Sequence, residues 1–270
     1  MKRTFYSLFM AFLLGMAGTQ VWADDLTTTK IDGVSYYVIN NGEEFKMFAD
    51  LVSNGEFGAN AVLKTDISLA DVITEGSPWN PIGTSSGIYT GIFDGQGHSI
   101  TDFNATSEAD GGGLFGFATG ATIKDFSIAG TLTATAGTGT GVVGYPSNCT
   151  ITNIHSSLAI VVPVGDVHHV GGVVGSGRGG NTISGCTFRG TMDVAAGSTD
   201  NFAGIVAYLG GDSVSFCANY GTILSTMQLV PQAVLQVIST TPVRMYRTAS
   251  TGAKSSLANA MEHPLMAVPS

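Results

Sequence analysis

Gly171-Gly172-Val173-Val174-Gly175 precedes Thr182-Ile183 in this 270-residue chain, and the same arrangement occurs four times. Each copy places small residues around two apolar ones and has a Thr/Ser-Ile/Val step at a nearly fixed distance after them. The clusters begin at Gly112, Thr140, Gly171 and Ala203, and the steps are Thr122-Ile123, Thr150-Ile151, Thr182-Ile183 and Ser213-Val214. Successive Ile/Val positions lie 28, 32 and 31 residues apart. A repeat of this length predicts the stacked coils of a solenoid.

Other positions of the repeat keep their residue type from coil to coil. The ninth residue after the Ile/Val is apolar in each copy: Leu132, Ile160, Met192 and Ile223. The seventh is glycine at Gly130, Gly190 and Gly221, with Leu158 as the exception. Apolar residues in register indicate an interior ladder, and glycines in register indicate identical tight bends. Because coils with identical bends stack in parallel, the sequence predicts an all-β parallel β-helix.

The N-terminal residues 1–23 have the pattern of a secretory signal peptide. Lys2 and Arg3 precede an apolar run from Phe5 to Met16, and Val21-Trp22-Ala23 forms a small-residue cleavage site. The apolar run is short for a membrane anchor, so we expect cleavage before Asp24 and no membrane span afterwards. The sequence therefore predicts a secreted protein, either extracellular or on the outer cell surface.

Residues 24–78 lack the repeat, and we expect them to cover the first coil as an α/β cap segment. Val34–Ile39 has the composition of a strand, as does Ala61–Leu69. Glu43–Val52 has a helical stripe that includes Phe45 and Phe48, and Asn54-Gly55 would end this helix.

The β-helix coils are expected over residues 79–223. A first, shorter coil is predicted near Gly91–Ile100, with Ser99-Ile100 matching Thr122-Ile123 and Phe103 matching Phe126. Since the period is long for a minimal coil, we expect loops at Gly137–Thr140, Val164–His169 and Ala196–Asn201.

The segment 224–270 does not continue the pattern. From Thr222 to Ser270 the chain has one glycine, Gly252, and one acidic residue, Glu262. A divergent C-terminal cap is one interpretation, and a shifted reading frame is another. In a shifted frame, each new codon takes the last base of one codon and the first two bases of the next. The Met245–Tyr246 junction must then encode Val, 31 positions after Val214. We therefore expect an out-of-frame readout of at least one more coil, which the nucleotide sequence would test.

Several motifs together resemble the secreted GLUG-motif repeat proteins of gut-type Gram-negative bacteria. They are Trp79-Asn80-Pro81-Ile82-Gly83, Phe93-Asp94-Gly95-Gln96-Gly97-His98-Ser99-Ile100, Gly113-Leu114-Phe115-Gly116 and Ile123-Lys124-Asp125-Phe126. The resemblance covers roughly residues 30–223 and implies a right-handed parallel β-helix in an exported, adhesin-like surface protein. It brings no catalytic residues, and Leu158 and the tail depart from the pattern.

Composition excludes some classes of partner and site. The net charge of −9 leaves no basic patch for nucleic acid. Cys149, Cys186 and Cys217 are an odd number and have no zinc-ligand spacing. Cys186 and Cys217 share one repeat position, so we expect them in an interior stack, where a disulfide between neighbouring strands is geometrically conceivable.

No residue pattern predicts a catalytic, cofactor or metal site. The residues two positions after the Ile/Val are Asp125, Asn153, Gly185 and Phe216. Acidic residues therefore do not stack from coil to coil at this position. Four carboxylates crowd the first coil, where turn formation is the simpler interpretation: Asp94, Asp102, Glu108 and Asp110. His168-His169 could bind metal or sense acid pH, but a solvated loop pair is the favoured interpretation.

The sequence therefore favours a non-catalytic surface scaffold or adhesin that binds a host or microbial glycan or a surface protein. A carbohydrate-active β-helix enzyme is the alternative, which three or more converging carboxylates would favour. A third alternative is a stalk that spaces another module from the cell. Exposed aromatic residues without such a carboxylate cluster would favour binding.

Overall fold

The computed structural model describes residues 26–74, 77–195 and 201–225. The expected signal peptide and residues 226–270 of the expected out-of-frame tail lie outside these ranges. Within them, the chain forms a parallel β-solenoid, which confirms the predicted all-β class and the predicted stacking of coils. No helix in the described part of the chain has the length and apolar character needed to cross a membrane.

The N-terminal segment contains one helix and five short strands. In chain order they are β1 (Thr28–Ile31), β2 (Val34–Ile39), α1 (Gly42–Ser53), β3 (Ala61–Leu63), β4 (Ile67–Ser68) and β5 (Ser77–Pro78). The predicted strand β2 and helix α1 are confirmed. The predicted strand Ala61–Leu69 is wrong in its middle, because Lys64-Thr65-Asp66 separates β3 from β4.

Twenty further strands form the coils among the described residues. The first of them are β6 (Ile92–Asp94), β7 (Ser99–Thr101), β8 (Ala105–Ser107), β9 (Phe115–Thr119), β10 (Thr122–Ile128), β11 (Thr131–Ala134) and β12 (Gly137–Thr140). Next come β13 (Val143–Ser147), β14 (Thr150–Ser156), β15 (Ala159–Val162), β16 (Val167–Gly171), β17 (Val174–Ser176), β18 (Thr182–Ser184) and β19 (Thr187–Phe188). The last are β20 (Thr191–Val194), β21 (Phe202–Ala203), β22 (Val206–Tyr208), β23 (Ser213–Ser215), β24 (Ala218–Asn219) and β25 (Thr222–Ser225).

These strands form four sheets that run along the solenoid axis. Sheet 1 has twelve strands and contains β6, β10, β14, β18 and β23, while sheet 2 has six and ends at β25. Sheet 3 consists of β12, β16 and β21, and sheet 4 of β9, β13, β17 and β22. Sheet 3 corrects two loop predictions, because Gly137–Thr140 is a strand and Val167–His169 begins another. Residues 196–200 of the third predicted loop lie outside the described residues.

The predicted interior ladders are present. Leu132 pairs with Ile160, Ile160 with Met192 and Met192 with Ile223 in sheet 2. In sheet 1, Ile123, Ile151, Ile183 and Val214 pair in the same order. The first three residues of each ladder are almost completely buried. Every coil therefore contributes apolar side chains to one continuous core.

The predicted register of the first coil is wrong. Phe93, not Ile100, pairs with Ile123, and Ile100 pairs with Ile128. A turn at Gly95–His98 interrupts the first coil, so β6 and β7 together align with the single strand β10. This insertion shifts the later residues of the coil relative to the repeat.

The repeated glycines allow neighbouring coils to pack closely, and they do not share one bend conformation. Gly130 has a positive φ of 144°, but Gly190 and Gly221 do not share a positive φ. A Cβ at Gly190 would overlap the backbone carbonyl oxygen of Leu158 in the neighbouring coil. Glycine is therefore required here because the backbones approach closely.

Helix α1 covers the N-terminal end of the core. The side chain of Asn41 accepts a hydrogen bond of 2.8 Å from the backbone N–H of Glu44, which caps the helix. The buried rings of Phe45 and Phe48 contact that of Phe93 at centroid distances of 5.9 and 6.4 Å. The helix thus shields the aromatic rings at this end of the solenoid from water.

Candidate functional site

One position of sheet 1 bends to the outside of the solenoid in successive coils. Its occupants have left-handed backbones, with φ of 60° at Asp125, 53° at Asn153, 67° at Gly185 and 53° at Phe216. They lie side by side because Ile123, Ile151, Ile183 and Val214 pair two positions earlier. We call these four residues the left-handed column.

Hydrogen bonds and an ion pair join the first half of this column. The amide Nδ2 of Asn153 donates to Oδ1 of Asp125 over 2.7 Å, which links two neighbouring coils. The Lys124 Nζ lies 2.9 Å from Oδ2 of Asp125 and 2.8 Å from Oδ2 of Asp94, one coil earlier. A Cβ at Gly185 would overlap Oδ1 of Asn153, so this amide occupies the space beside the glycine.

An open groove of about 660 Å³ lies over this cluster, and we call it the polar groove. Its lining residues are Asp94, Gln96, Gly97, Asp125, Phe126, Ser127, Asn153 and His155. Asp94 accepts a 2.9 Å hydrogen bond from the Gln96 backbone, and the His155 Nδ1 lies 2.9 Å from the Thr187 hydroxyl. Planar side chains that donate and accept hydrogen bonds therefore converge from three neighbouring coils.

The charges in the polar groove stabilise one another. Burial by itself would raise the pKa of Asp125, but the hydrogen bonds from Asn153 and Lys124 outweigh it and lower that pKa. Burial would likewise lower the pKa of Lys124, but Asp94 and Asp125 outweigh it and raise that pKa. Asp125 is therefore ionised and Lys124 protonated at neutral pH.

The four carboxylates of the first coil do not converge on one site. Asp94 lies in the polar groove, whereas Asp102 accepts hydrogen bonds from the hydroxyls of Ser68 and Thr101 at 2.6 and 2.9 Å. Asp110 accepts a hydrogen bond of 2.7 Å from the backbone of Thr138 in the next coil, and Glu108 is exposed. Asp110 thus binds the backbone of the next coil, and Asp102 binds two side-chain hydroxyl groups.

The two adjacent histidines have different environments. The His168 Nε2 lies 2.8 Å from Oδ1 of Asp166, and the ring of His169 stacks on Tyr208 at a centroid distance of 4.7 Å. No group of three or more His, Cys, Asp or Glu residues in the described ranges has an arrangement that could hold a metal ion.

Cys186 and Cys217 lie side by side in the interior, as the repeat predicted. The next residues, Thr187 and Ala218, pair directly, and all three cysteines of the chain are buried free thiols. A hydrogen bond between the two thiols, together with burial, raises the pKa of Cys186. Cys149 lies apart, where its backbone N–H donates to the Asn181 side chain over 2.8 Å.

Exposed aromatic side chains lie at the C-terminal end of the described coils. Phe216 is 84% exposed, Tyr220 62% and Tyr208 42%. The guanidinium carbon of Arg189 lies 4.2 Å from the centroid of the Tyr220 ring. Among these three residues, only Phe216 belongs to the left-handed column.

A second concavity, of about 270 Å³, lies between the end of α1 and the following turns. Its lining residues are Ser53, Phe57, Asn80, Gly83, Thr84, Ser86 and Gly87. None of them is titratable, so the polar groove is the better candidate site.

Sequence reasoning missed the polar groove because the register of the first coil was wrong. With Phe93 opposite Ile123, Asp94 lies opposite Lys124, and the charged pair becomes visible. Asn153 and His155 follow in the next strand, two and four residues after Ile151. The signal available in the sequence was Phe93-Asp94-Gly95, which fits the Ile123-Lys124-Asp125 step better than Ser99-Ile100.

Comparisons with known proteins identify no family. No family model matches the chain, and no curated protein matches it. The solved structure of a "putative immunoglobulin A1 protease" from Bacteroides ovatus is similar, with 15% sequence identity and a TM-score of 0.42. The match covers 80% of this chain and 81% of that one.

Proposed function

We propose that this chain is an exported surface β-helix protein of the GLUG-motif type that binds a neutral glycan in the polar groove. The observation that carries the proposal is the convergence of Asp94, Gln96, Asp125, Asn153 and His155 in one open groove. Carboxylates, amides and imidazoles form directional hydrogen bonds with the hydroxyl groups of sugars. The motifs and the predicted signal peptide support export.

The charge of the site favours a neutral ligand. The ammonium group of Lys124 contacts the carboxylates of Asp94 and Asp125, so the cluster has one net negative charge. The whole chain carries −9, so a polyanionic glycan would be repelled. A neutral oligosaccharide would meet hydrogen-bonding groups without this repulsion.

The alternative of a carbohydrate-active enzyme has weaker support. Glycosidases use two carboxyl groups, of which one is protonated and has a raised pKa. Asp125 has the opposite shift, and its carboxylate pairs with Lys124. A surface-protein ligand and a stalk function lack a feature as specific as the polar groove in the described residues.

A glycan array with the full-length protein tests the proposal. We expect binding to neutral glycans and a loss of at least tenfold in Asp125→Gly/Asn153→Gly, whose groove lacks both linked side chains while glycine keeps the left-handed backbone. Glu108→Ala, which removes an exposed carboxylate outside the groove, should bind like wild type. A wild-type protein that binds no glycan on the array would refute the proposal. Glycan cleavage that disappears in Asp125→Asn would favour the enzyme.

A further inference from the structure

Phe216 occupies a backbone position that suits other residue types. The three preceding residues of the left-handed column are Asp125, Asn153 and Gly185. Aspartate, asparagine and glycine enter the left-handed region most readily, whereas a bulky aromatic residue there is an outlier. Phe216 nevertheless has φ of 53° and is 84% exposed, so no core packing explains its side chain.

The left-handed column extends from the polar groove to Phe216 along the solenoid axis. Neighbouring strands are roughly 4.8 Å apart, so Asp125 and Phe216 are separated by three spacings, or about 14 Å. Asp125 and Asn153 provide hydrogen-bonding groups, Gly185 has no side chain, and Phe216 provides an apolar ring. An extended β-1,4-linked pyranose chain advances by about one strand spacing per sugar.

Aromatic rings pack against the apolar C–H faces of pyranose sugars, while the polar side chains bind their hydroxyls. We propose that the ligand is a linear neutral oligosaccharide that lies parallel to the solenoid axis, with Phe216 stacked on a sugar two coils beyond Asn153. This inference rests on the proposed glycan-binding function and adds the orientation, the length and the terminal contact of the glycan.

Titration calorimetry of the full-length protein with cello-, xylo- and manno-oligosaccharides of two to six sugars tests the inference. We expect the affinity to rise at least tenfold from the disaccharide to the tetrasaccharide and then to level off. Phe216→Asn should abolish this gain and leave disaccharide binding unchanged. Because asparagine tolerates the left-handed backbone, the same variant should melt at a temperature at least as high as wild type.

Tyr220→Asn is the matched control, since it removes an exposed ring that lies outside the column. It should retain the wild-type dependence on chain length. Binding that does not vary with chain length, or that Phe216→Asn leaves intact, would overturn this inference and leave the glycan-binding function standing. A lower melting temperature of Phe216→Asn would assign the ring a structural role instead. Failure of the wild type to bind any of these sugars, together with a silent array, would refute both proposals.

Discussion

Asp125 shows how a single side chain depends on its neighbours in this solenoid. Its carboxylate accepts hydrogen bonds from Lys124 and from Asn153, which belongs to the next coil. Both contacts favour the ionised form, so the folded-state pKa lies below the ordinary aspartate value of about 3.9. The stabilisation is therefore present above that pH and is lost as the pH falls through the folded-state value.

The substitution Lys124→Met tests this environment. Without the ammonium group, we expect the pKa of Asp125 to rise toward the ordinary value, as measured by a carboxyl-carbon NMR titration. The stability that Asp125 contributes above its ordinary pKa should then be smaller, so that less stability is lost on acidification. Lys64→Met is the control, because Lys64 contacts Gln96 and not Asp125. An unchanged titration of Asp125 in Lys124→Met would contradict the assigned contacts.

At the scale of the secondary-structure elements, the approach of neighbouring coils limits side-chain size. Gly190 precedes β20, and its α-carbon faces the backbone of Leu158 before β15. Because that backbone is held by the hydrogen bonds of sheet 2, it cannot move aside without disturbing the pairing of β15 and β20.

We expect Gly190→Ala to lower the free energy of unfolding by about 1–3 kcal/mol, as other overpacked sites do. Gly58→Ala is the matched control, since its new methyl group would meet only the Thr90 hydroxyl at 3.5 Å and φ is not positive. The control should remain within about 0.5 kcal/mol of wild type. Equal denaturation midpoints in urea for the two variants would show that the coils are less tightly packed than described.

Sequence periodicity predicts elements that repeat without interruption. The ladder through Ile123, Ile151 and Ile183 follows directly from the constant spacing of the Thr/Ser-Ile/Val step. The first coil could not be aligned by the same rule, because Gly95–His98 adds a turn whose length only the pairing of β6 and β7 reveals. The charged contact of Asp94 with Lys124 was missed for this reason.

At the scale of the whole molecule, each coil contacts only its neighbours, so stability is the sum of local interfaces. Ile160 has a paired coil on both sides, through Leu132 and Met192. Ile223 has one paired neighbour among the described residues, Met192, and is partly buried. The same substitution should therefore have unequal effects at the two positions.

Ile160→Ala should lower the free energy of unfolding by about 2–5 kcal/mol, the range for buried isoleucines. Ile223→Ala should cost less than half as much, because its side chain is less completely buried. Urea denaturation of both variants measures the difference. Equal costs would indicate that Ile223 is covered as completely as Ile160.

The left-handed column also bears on how such a molecule can change length in evolution. Because the four coils of the column bend at the same position, a duplication of residues 151–182 would begin and end at equivalent points of the backbone. The copy would lengthen the molecule by roughly 4.8 Å and leave the existing bends unchanged. It would also add a second copy of Asn153 to the left-handed column. Gene duplication could thus extend this surface by one coil at a time.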